Sequence, residues 1–173
     1  MPRTSTIELP RILAAAARRV LNGAGPAGVT YRAVAAEAGV TVRSIQNRFG
    51  SMAGLLDYVA VRGFAELSGA IMTGEGVPLT EVGPPADTLA TALDRYRRWA
   101  VANPELHRLM FDAPAHCVTP SPTTRRAAAD LFGLFAGAAR SRDDGHRAFA
   151  EMHGRVQLAL SGLCPGGPST IEF

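Results

Sequence analysis

Apolar residues along this chain recur at three- and four-residue intervals, and no segment alternates with period two over enough residues to make a convincing strand. In residues 9–22, Ile12, Leu13, Ala16 and Val20 share one stripe while Arg11, Arg18 and Arg19 fall elsewhere, which predicts an amphipathic helix. The stretch "NGAGPAG" at 22–28 is expected to stop it and form a loop. Thr30 has the chemistry of an N-cap for "YRAVAAEA", and Gly39 can take the left-handed conformation that closes such a helix. Thr41 then caps a second short helix, with Val40 and Ile45 placed as a hydrophobic staple and Gly50 closing it after Phe49.

A longer helix is expected from Ser51 to about Thr73, with Leu56, Val59, Gly63, Leu67 and Ile71 on one stripe. The Gly- and Pro-rich segment 74–87 reads as a loop. Leu89, Leu93, Tyr96 and Ala100 mark the next helix, and Asn103 with Pro104 at the first helical position opens a short one ending near Phe111. After "APAHCVTPSPTT", residues 123–140 and 145–163 predict two final helices joined by "SRDDG". The expected fold class is all-α.

These last helices are apolar on more than one side, and a helix of that kind needs cover on every side. Leu131, Leu134 and Phe135 in the first and Val156, Leu160 and Leu163 in the second are therefore the candidate interface of a homodimer.

The pair of short helices joined at Gly39 has the layout of a helix-turn-helix, whose second helix enters the major groove of double-stranded DNA. At 100° per residue, Ile45 and Phe49 point inward, Arg43, Ser44 and Asn47 outward, and Val42, Gln46 and Arg48 lie on the flanks. That surface suits base edges: arginine for guanine, Gln or Asn for adenine, and Val42 for a thymine methyl. A solvated helical hairpin with no partner is the competing reading of the bare pattern.

Charge distribution favours the first reading. Residues 1–65 hold eight arginines against three acids, while residues 66–173 hold ten arginines against twelve. A basic head on a near-neutral body is what a polyanion-binding protein shows. All eighteen cationic residues are arginine, which we attribute to GC-rich coding and not to function.

Residues 11–59, "RILAAAARRVLNGAGPAGVTYRAVAAEAGVTVRSIQNRFGSMAGLLDYV", resemble the DNA-binding head of the TetR family of transcriptional regulators. Thr30, Val34, Ala35, Ala38, Gly39, Val40, Ile45, Phe49, Ser51 and Leu55 or Leu56 stand at matching spacings. "RYRRWAVANPELHRLMF" at 95–111 and "MHG" at 152–154 resemble the bodies of a subgroup named for a Trp-His-Gly triplet. Gln46, Met52 and Met152 depart from the family's usual tyrosine, lysine and tryptophan.

The resemblance implies a three-helix helix-turn-helix head, residues 1–52, and a helical-bundle ligand-binding and dimerisation body, residues 53–173. It implies a repressor that binds a palindromic operator as a homodimer and is released by a small-molecule effector. Thr30, Thr41 and Ser51 would meet phosphates; with Gln46 and Met52 in place of the usual tyrosine and lysine, either non-specific affinity is weaker or the load shifts onto Arg32, Arg43 and Arg48. Tyr96, Trp99, His107, Met110, Phe111, Met152 and His153 would line the effector pocket. The alternative is a helical small-molecule-binding protein or enzyme with a vestigial head.

Other chemistry is weak. "GAGPAG" fits a dinucleotide-binding spacing, but a helix precedes it, Pro26 interrupts it and no parallel sheet accompanies it, so no cofactor is expected. His116 and Cys117 lack a matching ligand pair, and no metal is expected. No nucleophile elbow, HExxH or phosphate-cradling loop with its lysine is found, so no catalytic residue is nominated. Cys117 and Cys164 form no disulfide framework, and neither a membrane span nor a signal peptide is evident, so a cytoplasmic protein is expected.

Overall fold

The computed structural model describes residues 8–74, 88–112 and 120–162, and among these it has eight helices and no strand. They are α1 (Glu8–Gly28), α2 (Tyr31–Ala38), α3 (Val42–Phe49), α4 (Met52–Thr73), α5 (Leu89–Ala102), α6 (Pro104–Phe111), α7 (Pro122–Ala138) and α8 (Arg142–Leu160). The all-α expectation holds. The chain forms two compact units, one of Met1–Gly63 with Glu105–Thr124 and the other of Phe64–Pro104 with Arg125–Phe173.

In the first unit α1 packs on α2 and α2 on α3. The buried stripe of α1 is Leu13, Ala16, Ala17 and Leu21, one position round from the expected one, and Ile12 is 37% exposed. Two of these four residues are alanines. The expected loop at 22–28 is also corrected. Helical turns run on to Gly28, broken only at Gly25, whose φ of 67° and ψ of −179° are open to glycine, and Pro26 restarts the helix with its fixed φ. The final turn closes through Val29 N–H to the Pro26 carbonyl at 3.2 Å.

Gly63 on α4 marks a close approach. A β-carbon there would lie 2.5 Å from the Met110 sulfur and 3.2 Å from Leu106, so α6 seats directly against this glycine.

In the second unit α5 packs on α8. Tyr96, Trp99, Leu131, Phe135, Met152 and Val156 are buried there. Tyr96 has Phe135 and Phe149 at ring-centroid distances of 6.1 and 5.1 Å, edge on, and Phe149 stacks on His153 at 5.6 Å. Arg95, also buried, donates from one guanidinium nitrogen to the carbonyls of Ile71 at 2.8 Å and Met72 at 3.2 Å. A cation on the terminal carbonyls of α4 complements the helix dipole there. "SRDDG" is not a joint between helices: Ser141 is the N-cap of α8, accepting from the Asp144 N–H at 3.1 Å, and the next residues form its first turn.

Candidate nucleic-acid interface

The helix-turn-helix is built by backbone chemistry. Thr30 Oγ1 accepts from the Ala33 N–H at 3.2 Å, starting α2. Gly39, at φ 65°, ends it: its N–H reaches the Ala36 carbonyl at 3.2 Å and Val40 N–H reaches that of Ala35 at 3.0 Å, the paired bonds of a Schellman motif. Thr41 Oγ1 accepts from the Ser44 N–H at 3.2 Å and begins α3, and Gly50, at φ 70°, closes it onto the Gln46 carbonyl at 2.8 Å. Ser51 caps α4 through the Gly54 N–H at 3.0 Å.

Only Ile45 of α3 is fully buried, while Val42 and Phe49 are half-buried. Arg43, Gln46, Asn47 and Arg48 are exposed. Arg48 lies over the Phe49 ring, its guanidinium carbon 5.9 Å from the ring centre. Ser44 is half-buried, and its hydroxyl stands 2.9 Å from Thr41 Oγ1, within the cap. Thr30, Arg32, Thr41 and Ser51 are exposed on the same unit. A hydroxyl that accepts a cap bond still has a proton to donate, so Thr30 and Ser51 retain a bond for a phosphate oxygen.

Asp57, on α4, was not anticipated. Its Oδ1 accepts from the Ser121 N–H at 3.2 Å and the Thr124 hydroxyl at 2.6 Å, both at the start of α7. Burial pushes its pKa up, but the bonds from Thr124 and from the Ser121 side chain and backbone outweigh that and hold it below the usual aspartate value. A depressed folded pKa means that the bonds stabilise above the ordinary value of about 3.9 and lose that effect as pH falls through the folded one.

The residues suggested for the effector pocket divide between the units. His107, Met110 and Phe111 belong to the first, with His107 and Met110 buried and the His107 ring 4.8 Å from that of Phe111. Tyr96, Trp99, Met152 and His153 belong to the second, where the first three are core. Tyr96 Oη and His153 Nδ1 share a 2.6 Å hydrogen bond, and Trp99 Nε1 donates to Glu66 Oε1 at 3.4 Å. An open cleft of about 440 Å³ is lined by Phe132, His146, Phe149, Ala150, His153 and Gly154. His153 alone of the suggested residues lines it.

The suggested dimer residues need correction. Leu131, Phe135 and Val156 are fully buried within the single chain, so a partner has no access to them. Leu134 and Leu160 are half-buried, and Leu163, like His116, Cys117 and Cys164, lies outside the described residues. No group of three or more metal-ligating side chains is found among the described residues. None of the described helices is long and apolar enough to cross a membrane.

Residues 13–59 match the family model for bacterial regulatory proteins of the tetR family, and residues 89–170 match the tetracyclin repressor-like C-terminal domain. The chain belongs to the TetR family. This TetR family protein is accordingly a DNA-binding transcriptional regulator of the helix-turn-helix type.

Solved structures agree in fold. A protein of unknown function from Rhodococcus sp. RHA1 is 26% identical with a TM-score of 0.72, over 96% of this chain and 89% of that one. The multidrug binding protein EbrR, complexed with imidazole, is 24% identical with a TM-score of 0.62, over 98% and 88%. A transcriptional regulator from Rhodococcus sp. Rha1 is 19% identical with a TM-score of 0.59, over 92% and 88%. Among curated proteins none matches.

Proposed function

We propose that this TetR family regulator is a repressor that binds a palindromic operator as a homodimer and leaves it when the body takes up a small-molecule effector. The observation that carries this reading is α3: eight residues held at both ends by caps, with Arg43, Gln46, Asn47 and Arg48 exposed. These four address base edges and nearby phosphates, with Val42 at the flank, while Thr30, Arg32, Thr41 and Ser51 seat the head on the backbone. Residues 1–52 act as the DNA-binding domain and 53–173 as the effector and dimerisation domain. Two heads would place their α3 helices in successive major grooves, about 34–36 Å apart.

The subunit contact falls on the outward side of the last two helices. Ala129, Gly133 and Gly137 on α7, and Ala150, Gly154 and Leu158 on α8, are exposed at four-residue intervals. Nothing lies within 4 Å of a β-carbon placed at Gly133, Gly137 or Gly154, and Leu158 is 53% exposed. Small side chains at this spacing let helices pack closely. The effector belongs with the aromatic group of Tyr96, Phe149 and His153, at the 440 Å³ cleft, whose rim residues Ala150 and Gly154 are shared with the subunit contact. EbrR, the solved multidrug binding protein, has also been crystallised with malachite green.

Titrating the protein against DNA from upstream of its own gene tests the reading. Specific binding by a dimer, falling steeply with salt as phosphate contacts release counterions, is expected. A folded protein that binds no such DNA, or binds it without salt dependence, sinks the proposal.

A further inference from the structure

Asp57 lies on α4, and the reading above gives it no contact with DNA. Its contacts run to the start of α7. Ser121 is the N-cap there, accepting from the Thr124 N–H at 3.1 Å, and Asp57 Oδ1 takes up the Ser121 N–H and the Thr124 hydroxyl. A carboxylate in this place meets unpaired N–H groups and the positive end of the helix dipole, and charge-assisted bonds of this kind are stronger than neutral ones. Thr124 is only 7% exposed, so water competes poorly for the bond.

The same turns of α4 hold the end of the recognition helix. Tyr58, the next residue, packs its ring 5.4 Å from that of Phe49, the last residue of α3. Gly54 approaches the Phe49 carbonyl so closely that a β-carbon would sit 2.4 Å from its oxygen. All these residues belong to the first unit. Two turns of α4 therefore carry α3 at one contact and α7 at another.

We propose that Asp57 is a positioning residue for DNA recognition. By fixing the first turn of α7 to α4 it holds α4, and through Phe49 the recognition helix, in the setting that reads DNA. The inference rests on the role assigned above to α3.

The test uses Asp57→Asn, Thr124→Val and the double variant of the full chain, with a duplex selected by the wild type from a random library. Each single change is expected to weaken specific binding roughly tenfold, the worth of a hydrogen bond to a charged group. The slope of log affinity on log salt stays unchanged, because no phosphate contact is lost. The double variant loses less than the sum of the two singles, because both changes act on the same Asp57–Thr124 bond. In the free protein, amide exchange across α3 speeds up in both variants.

Thr124→Val keeps the residue's size and leaves the carboxylate, so it carries the test if Asp57→Asn does not fold. Affinity and α3 exchange within about twofold of wild type, alongside a lower thermal midpoint, would mean packing alone and overturn the proposal. A shallower salt slope would mean a direct phosphate contact and overturn it too. If the wild type selects no duplex, the DNA-binding reading of α3 fails, and the exchange measurement still decides whether Asp57 positions that helix.

Discussion

Helices α3 and α8 are held in opposite ways. The eight residues of α3 include one fully buried side chain, and its shape comes from Thr41 at one end and Gly50 at the other. The nineteen residues of α8 bury Phe149, Met152 and Val156, and Phe149 and His153 are engaged with Tyr96 on α5. In α3 the backbone fixes the helix and leaves side chains for a partner. In α8 the side chains are the fixings. Substitution on the outer face of α3 should therefore change what is recognised, whereas substitution against α8 should first change whether the unit folds.

The largest expected effect lies in the second unit. Trp99→Ala removes a fully buried indole and should cost about 3–5 kcal/mol, read as a lower midpoint in chemical denaturation. A loss below about 1 kcal/mol would show that the aromatic core is loose, and the contrast would collapse. Next is Gln46→Ala on the exposed side of α3. It should leave unfolding stability within about 0.5 kcal/mol and cost about 1–3 kcal/mol of DNA binding at one symmetric base position. A uniform loss across sequences would assign Gln46 to a phosphate instead. Smallest is Thr41→Ala, which removes the cap bond to Ser44 and should lower stability by about 1 kcal/mol. No change in unfolding would mean that packing of Ile45 alone holds α3.

The same division explains what was legible in the sequence. Caps and glycine stops are local chemistry, so α2, α3, α5 and α6 could be read almost to the residue from Thr30, Gly39, Thr41, Gly50 and Pro104. Polar residues on a short helix marked its exposed side for the same reason, with Ser44 half-buried beside its own cap. Periodicity says that a helix has an apolar side but not how far round neighbours cover it. That is why Leu131, Phe135 and Val156 looked available to a partner and are core, while Ala16 and Ala17 join Leu13 and Leu21 in the buried stripe of α1. The bonds of Asp57 and Arg95 were out of reach, since their partners lie 64, 67, 24 and 23 positions away. Neither the buried Arg95 nor the half-buried Asp57 carries a local signal of those partners.

Arg95 also sets a boundary. With its guanidinium on the Ile71 and Met72 carbonyls and Gly74 turning at φ 75°, the end of α4 is defined by a residue on α5. The helix has a stop imposed from outside, and its last turn is pinned where Arg95 meets it. Residues added to or removed from 75–87 should leave that stop in place, whereas loss of Arg95 would free the last turn to fray or to grow.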